Sequence, residues 1–411
     1  MGRYGSDSRS KLIVRSLGRM SHSAASHVWE TFRKGDMILL LLCLILTAFG
    51  CLMIASTKNA VGFTRYVTVQ CAATILGVIM YAVVSSIDVE FMSEHRNKLV
   101  IFNILLLLML IPFGTDNDTG NRSWLDIPLV PVDIQPAEIC KITLIIILAS
   151  VMGTHQNAPS NYKSVFHSAF HMVLLLGLNM ALSRDLGVSL IFVFIFIGMA
   201  LSGGVSLLWF ALGIGSIAIT GPIWWRFLGT YQQNRILILF DETIDPLGIK
   251  ERYHSLRAIK SLTGGGLTGQ GLFQGTRTQT EGALFAQHTD FIFAAIGEEL
   301  GLVGCLLVLV MLVLIIARCI WVGTRSQDYV RKLICFGAAS ALIFQVCINV
   351  GMSLGVAPVI GLTLPFVSYG GSSLVTLYAM VGLVSGVYAR PSPTSQQRYI
   401  RPPRFSQKGI F

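Results

Sequence analysis

Apolar runs of about 20 residues recur along almost the whole chain, and a run of that length is what a helix needs to cross a bilayer. In lipid every backbone N–H and C=O must find its partner within the segment, so runs of this kind fold as helices. We read ten spans, at 36–56, 66–86, 98–113, 134–153, 165–183, 186–202, 205–225, 291–317, 332–354 and 366–389. The pair 186–202 and 205–225 is separated only by the "GGVS" stretch. With 53% hydrophobic and 13% charged residues and a mean hydropathy of +0.67, the 411 residues describe one all-α polytopic membrane domain over 36–390. Polar tails at 1–35 and 391–411 flank it.

The net charge of +10 raises the possibility of nucleic acid, but its distribution argues against that. Short cytoplasmic loops of membrane proteins collect Lys and Arg. The N-terminal tail holds Arg3, Arg9, Lys11, Arg15, Arg19, Arg33 and Lys34, the C-terminal tail five more, and the 318–332 loop Arg318, Arg325, Arg331 and Lys332. The alternate short loops are poor in cations: 355–365 has none, and 114–133 has only Arg122 among Asp116, Asp118, Asp126 and Asp133. Both termini are therefore expected in the cytoplasm, which agrees with ten spans. Anionic lipid accounts for the charge without nucleic acid. The eight cysteines fall in or at the ends of spans without CxxC spacing, so neither a disulfide framework nor a metal cluster is expected. "SHVWETF" in the first tail fits a short amphipathic helix.

The long loop 226–290, between spans seven and eight, is then external. It contains "YHSLRAIKSL", an amphipathic helical pattern, followed by six glycines, Gly264, Gly265, Gly266, Gly269, Gly271 and Gly275. They match no phosphate-binding fingerprint, so close backbone packing or a hinge is expected there. The loop ends in "QHTDFIFAAIGEELG", which carries Asp290, Glu298 and Glu299 into a membrane helix. An N-terminal cap would explain Asp290. It does not explain Glu298 and Glu299, since a carboxylate inside a span costs about 2–3 kcal/mol or more and normally faces a polar cavity. The i, i+8 spacing puts Asp290 and Glu298 on roughly one side of a regular helix. Partial desolvation at that depth suits a general base.

Glu138 and Lys141 on span four, spaced i, i+3, can pair on one face, as a structural ion pair or as part of a site. Arg184 and Asp185 in "SRDLG" read first as a turn pair; the other reading sends them into the same external cavity. His167 and His171 have the i, i+4 spacing of some metal sites but no nearby carboxylate. "NVGMSLGVAPVIGLTLPFVSYGGSSL", 349–374, breaks regular helix at Pro358, Pro365 and Gly370–Gly371, which membrane depth tolerates only in a cavity wall or in protein. We therefore expect a polar cavity, open outward, walled by spans four, eight and ten.

This last segment resembles the signature of the SEDS family, the RodA and FtsW proteins of bacterial wall synthesis. Asn349, Gly355, Pro358, Gly361, Ser368, Tyr369, Gly370, Gly371 and Ser372 fall where that pattern expects them, and "HTDFIFAAIGEELG" and "QPAEICK" are similar to two further hallmarks. The resemblance covers about residues 36–390. It implies a peptidoglycan glycosyltransferase of the cytoplasmic membrane that polymerises lipid II at the outer face. Asp290 would be the essential loop carboxylate and general base. Glu138, Lys141, Arg122, Glu298, Ser368, Gly370 and Gly371 would serve the substrate. Arg252, Arg257, Lys260 and Arg277 are placed to meet pyrophosphate. The implied partners are lipid II, undecaprenyl-pyrophosphate-linked glycan and a class B penicillin-binding protein. A divalent cation, Mg or Mn, would suit pyrophosphate, but no motif specifies one. Departures are "NRSW" for "ARRW", "RDLG" for "PDLG" and "FAQ" for "LPE". Elongation is favoured over division. A lipid II flippase and a non-enzymatic scaffold are the alternatives. Against a flippase, no inverted repeat is visible and the charges within spans cluster on one side.

Overall fold

The computed structural model describes residues 26, 28–57, 60–115, 122–126, 134–227, 233–234, 237–238, 241, 245, 252–280 and 282–390. The basic tails before 26 and after 390, and Asp116, Asp118 and Asp133, lie outside these residues. The chain is helical almost throughout. Its elements are α1 (Met37–Thr57), α2 (Ala60–Ser86), α3 (Val89–Glu94), α4 (Arg96–Leu108), α5 (Leu110–Phe113), β1 (Gly114–Thr115), β2 (Trp124–Leu125), α6 (Pro136–Thr154), α7 (Tyr162–Leu182), α8 (Leu186–Ser202), α9 (Leu207–Phe227), α10 (Tyr253–Gly265), α11 (Ile292–Arg325), α12 (Tyr329–Leu354) and α13 (Gly371–Ala389). Eight helices are long and apolar enough to cross a membrane, and Leu186–Ser202 and Leu207–Ile223 are shorter apolar helices. Together they occupy the ten expected positions. The chain is a multi-pass membrane protein. A small hairpin of β1 and β2, with Gly114 opposite Leu125, follows α5.

Polar stitches show which loops share an end. At one end, Gln287 donates to the Thr57 carbonyl (2.7 Å), Gln135 reaches Asp185 (2.9 Å), and Asn349 reaches the Asp290 carbonyl (2.8 Å). At the other, Arg318 pairs with buried Asp36 (2.7 Å), the Asp36 N–H donates to Ser385 (2.9 Å), and Tyr81 donates to the Asp36 carbonyl (2.9 Å). The start of α1 and the end of α13 therefore lie at the same end, as an even number of crossings requires. Among the described residues 28–34 are helical, as "SHVWETF" predicts, and Lys34 pairs with Glu30 (2.7 Å).

Two sequence expectations need correction. The 318–332 loop is only Ser326–Asp328: α11 runs to Arg325, so Arg318 lies on helix, where its long side chain folds back to Asp36 and stacks over Trp321 at 4.2 Å. A helix leaving lipid gains nothing by unwinding at the first cation. Second, α11 is not a regular helix. It breaks at Gly301 (φ 66°, ψ −164°). The carbonyls of Glu298 and Glu299 accept instead from the N–H groups of Gln270 (3.0 Å) and Gly271 (2.9 Å). The N–H groups of Leu302 and Val303 donate to the carbonyls of Gly266 (3.0 Å) and Leu267 (3.2 Å). Four helix hydrogen-bonding groups at the break are thus satisfied by the glycine run after α10. A side chain at Gly269 would run into the Glu299 carbonyl, and one at Gly301 into the Gly269 N–H. The expected close packing of the glycine run is what the structure has.

Candidate active site

Asp290 ends the turn 286–290 that leads into α11. The helix begins at Ile292 with Phe291 as its cap residue, and no side chain caps it. Asp290 is thus not itself the cap residue of α11, and it is half-buried. Its main chain is held from the broken segment 349–371. Asn349, fully buried, donates to the carbonyls of Asp290 (2.8 Å) and Leu362 (2.7 Å). Ser368 donates to the Thr289 carbonyl (2.6 Å) and accepts from the Leu364 N–H (2.8 Å). The Tyr369 N–H donates to the His288 carbonyl (2.8 Å). Gln70 of α2 completes the frame, donating to the Ser368 carbonyl (3.1 Å) and accepting from the Gly370 N–H (3.3 Å). His288 packs against Tyr66 and Tyr369, with ring centroids 5.0 and 5.7 Å apart. Ser368 and the Tyr369 N–H thus position the Asp290 turn, Gly370 is held by Gln70, and Gly371 opens α13. Asn349→Leu is expected to lower activity about tenfold, because two carbonyls lose their donor and the Asp290 turn shifts. Initial rates beside melting temperature would check it.

A second polar station lies at the start of α6. Lys141 pairs with Glu138 at 2.7 Å, and the two are 2% and 4% exposed. Thr376 of α13 donates to Glu138 (3.0 Å). Nearby, Asp185 caps α8, accepting from the Val188 N–H (3.1 Å), and receives the Gln135 amide (2.9 Å). Burial pushes the Asp185 carboxyl up, and the Glu138 charge adds to that; the Val188 and Gly187 N–H groups and Lys141 oppose it. The expected Arg184–Asp185 turn pair does not form. Arg184 is exposed with left-handed backbone (φ 56°), while Asp185 turns inward to the helix start. The segment 368–376 joins the two stations: Ser368 and Tyr369 hold the Asp290 turn, Ser372 accepts from the Gln135 N–H (3.2 Å), and Thr376 meets Glu138. Lys141→Met is expected to destabilise the protein by about 3–5 kcal/mol, because Glu138 is left buried and unpaired. Glu138→Gln with Lys141→Met should recover much of that stability without restoring activity. Thermal melting and rate in the double-mutant cycle separate the two effects.

Glu298 does not line an open cavity. Glu298 and Glu299 are 1% and 0% exposed beneath the glycine-rich loop. Glu298 accepts from the Arg277 N–H (2.6 Å). Glu299 accepts from Ser56, from the Phe273 N–H (3.2 Å), from Thr278 (2.7 Å) and from Gln279 (3.3 Å). Both carboxylates anchor residues 270–279, the same segment that repairs the break at Gly301. The i, i+8 relation describes a bare, regular helix, whereas α11 is broken at Gly301 and covered here by the glycine-rich loop. Arg257 is likewise engaged, donating to the carbonyls of Gly282 and Ala283 and stacking on Tyr253. Arg122 is exposed beside β2, and no described contact brings it to either station. Among the described residues, His155, His167 and His171 cluster at the other end of the bundle, and no group of three or more His, Cys, Asp or Glu is arranged to hold a metal ion. The sequence gives no sign of Gln135 or of the carbonyls that Asn349 holds, and the helix-start role of Asp185 is hidden behind its charge pairing with Arg184. The signal for Asp185 was its place directly before an apolar helix, where Asp is a favoured cap.

Comparison with known proteins identifies the family. Residues 36–392 match the family model for cell cycle proteins of the FtsW, RodA and SpoVE type. The Escherichia coli K12 peptidoglycan glycosyltransferase MrdB is 33% identical over 359 residues, covering 86% of this chain and 93% of its own length. A probable peptidoglycan glycosyltransferase FtsW of Thiomicrospira cyclica is 32% identical over 377 residues, covering 87% and 93%. Among solved structures, a chain of a peptidoglycan synthase complex that coordinates polymerization and crosslinking superposes with a TM-score of 0.72 at 28% identity, covering 86% of this chain and 97% of that one. An aspartate-to-alanine mutant of the Thermus thermophilus rod shape determining protein RodA gives 0.64 at 25% identity, covering 87% and 99%. The match spans all ten helices and both polar stations, and the chain belongs to the FtsW/RodA/SpoVE family of cell cycle proteins, the SEDS family.

Proposed function

We propose that this protein is a peptidoglycan glycosyltransferase that polymerises lipid II at the outer face of the cytoplasmic membrane. The observation that carries the reading is Asp290: a half-buried carboxylate on a turn whose main chain is held by Asn349, Ser368 and Tyr369. In the reaction the 4-hydroxyl of an incoming lipid II attacks the anomeric carbon of the glycan carried on undecaprenyl pyrophosphate. The new C–O bond forms as the bond to pyrophosphate breaks, and Asp290 takes the hydroxyl proton. The Glu138–Lys141 pair and Asp185 offer a charged station for polar parts of the substrate.

The end of the bundle that holds both stations is the outer one, and both termini are cytoplasmic, on the distribution of Lys and Arg. A class B penicillin-binding protein is the fitting partner, on the likeness to a chain of a polymerizing and crosslinking complex. Elongation is our reading of the role, on the likeness to MrdB and RodA; the similarity to FtsW makes division the second.

The test is polymerisation of labelled lipid II by the purified protein with its penicillin-binding partner in detergent. Glycan strands are expected. Lipid II crossing liposomes with no strands formed would overturn the reading in favour of a flippase. Restored crosslinking by the partner with neither polymer nor transport would favour a scaffold.

A further inference from the structure

Gln135 stands at the cap position of α6 with extended backbone (φ −94°, ψ 107°), yet its side chain caps nothing. Gln is not a residue that cap positions favour. The next residue, Pro136, has no N–H, so the first turn of α6 asks less of a cap. The buried Gln135 side chain crosses to another loop and donates to Asp185 Oδ2 at 2.9 Å. Its own N–H is fixed by Ser372 of α13 at 3.2 Å.

Asp185 is otherwise held by its own neighbourhood. Oδ1 accepts from the Val188 N–H (3.1 Å), and its carbonyl accepts from Asn179 (3.1 Å) and Ser189 (2.7 Å). These contacts fix the backbone and one carboxylate oxygen. The Gly187 N–H also acts on the carboxylate, and Gln135 is the side chain that meets Oδ2. The charged groups around it are Glu138 and Lys141 from α6; Arg184, next in sequence, is exposed; α13 contributes the uncharged Ser372 and Thr376, and α7 contributes Asn179.

We infer that Gln135 is a positioning residue of this site, holding the Asp185 carboxylate beside the Glu138–Lys141 pair so that α6, α8 and α13 present one charged station to the substrate. The inference rests on the reading of this site as a glycosyltransferase centre. The amide suits the task because it donates without adding charge. A Lys would compete with Lys141 for the carboxylates, and a Glu would repel both of them once ionised. Asn is one methylene shorter and would not span the gap between the two loops.

The experiment compares Gln135→Glu and Gln135→Met with wild type in lipid II polymerisation across about pH 5.5 to about pH 8.5. Protonated Glu presents an O–H donor where the amide stood. The rate of Gln135→Glu relative to wild type is therefore expected to rise about tenfold or more on acidification. A ratio that stays flat across the range overturns the proposal. Gln135→Met keeps the length and loses the donor, so its turnover should fall about tenfold at an unchanged melting temperature. Turnover equal to wild type overturns it as well. A second measurement needs no turnover. The carboxylate infrared band of Asp185, identified by its loss in Asp185→Asn, should shift in Gln135→Met, and an unshifted band overturns the proposal. A wild type that makes no polymer would count against the polymerase reading, and the infrared result would still decide Gln135.

Discussion

Asp290→Asn is expected to cut lipid II polymerisation by about 10²–10⁴-fold, the range typical of removing a positioned general base. The melting temperature should stay close to that of wild type. The contacts that hold this turn go to main-chain carbonyls: Asn349 to Asp290, Ser368 to Thr289, and the Tyr369 N–H to His288. An amide at position 290 leaves them in place. The cap residue of α11 is Phe291 and is untouched by the substitution. Asn keeps the shape and loses only the basic oxygen, so activity and stability should separate. Asp290→Glu provides the complementary test. It keeps the base and moves it by one methylene, and a misplacement on the order of 1 Å can cost about 10²-fold. Initial rates with labelled lipid II, read beside thermal melting, decide the matter. A folded Asp290→Asn that polymerises at the wild-type rate would remove Asp290 from the chemistry. A rate loss that merely tracks a fall in melting temperature would make it a structural residue.

The helices were legible because lipid imposes a length and an interior that few other patterns satisfy. The start of α6 at Pro136 and the ends of α1 and α2 fall within a few residues of the apolar runs that mark them. The two shorter helices α8 and α9 were also visible, since "GGVS" interrupts one long apolar stretch. "YHSLRAIKSL" has a helical apolar face, and it is α10. Long-range pairings were not legible. Glu298 and Glu299 signal that a polar surface meets α11, but nothing local says whether that surface is substrate or protein. Their partners, Arg277, Phe273, Thr278 and Gln279, lie some twenty residues upstream in a loop whose path is set by its glycines. The pairing could have been suspected from two carboxylates without a local cation next to a glycine run. Asp185 was misread for a different reason. Adjacent opposite charges suggest a pair, but the left-handed backbone at Arg184 sends the two side chains apart, and the helix start claims the aspartate. The pair Glu138–Lys141 was legible because i, i+3 contact is a property of the helix itself.

Gly269→Ala is expected to prevent accumulation of folded protein, with a destabilisation above about 4 kcal/mol. Gly264→Ala, five residues earlier, should be neutral or slightly stabilising. The contrast follows from what each new methyl group would meet. At Gly264, inside α10, it finds only the flexible end of Gln270, at 3.3 Å, and helical Gly→Ala gains about 0.5–1 kcal/mol. At Gly269 the backbone is left-handed (φ 81°), and the methyl group would meet the Glu299 carbonyl, which is main chain and cannot swing away. That carbonyl is also the acceptor for the Gly271 N–H at 2.9 Å. Pushing it aside breaks the exchange that repairs α11 at Gly301, leaving backbone groups unpaired at membrane depth, each at a cost of several kcal/mol. The consequence reaches the active site. The glycine run and the Glu298 and Glu299 anchors hold residues 270–279, and these precede the turn that carries Asp290. Gln287, on that turn, donates to the Thr278 carbonyl at 3.1 Å, so a loosened run releases Asp290 from its frame. Fluorescence-detected size exclusion and melting of the two variants in detergent separate the cases. Equal melting temperatures for Gly264→Ala and Gly269→Ala would mean that the repaired break is not what holds residues 270–279 to α11.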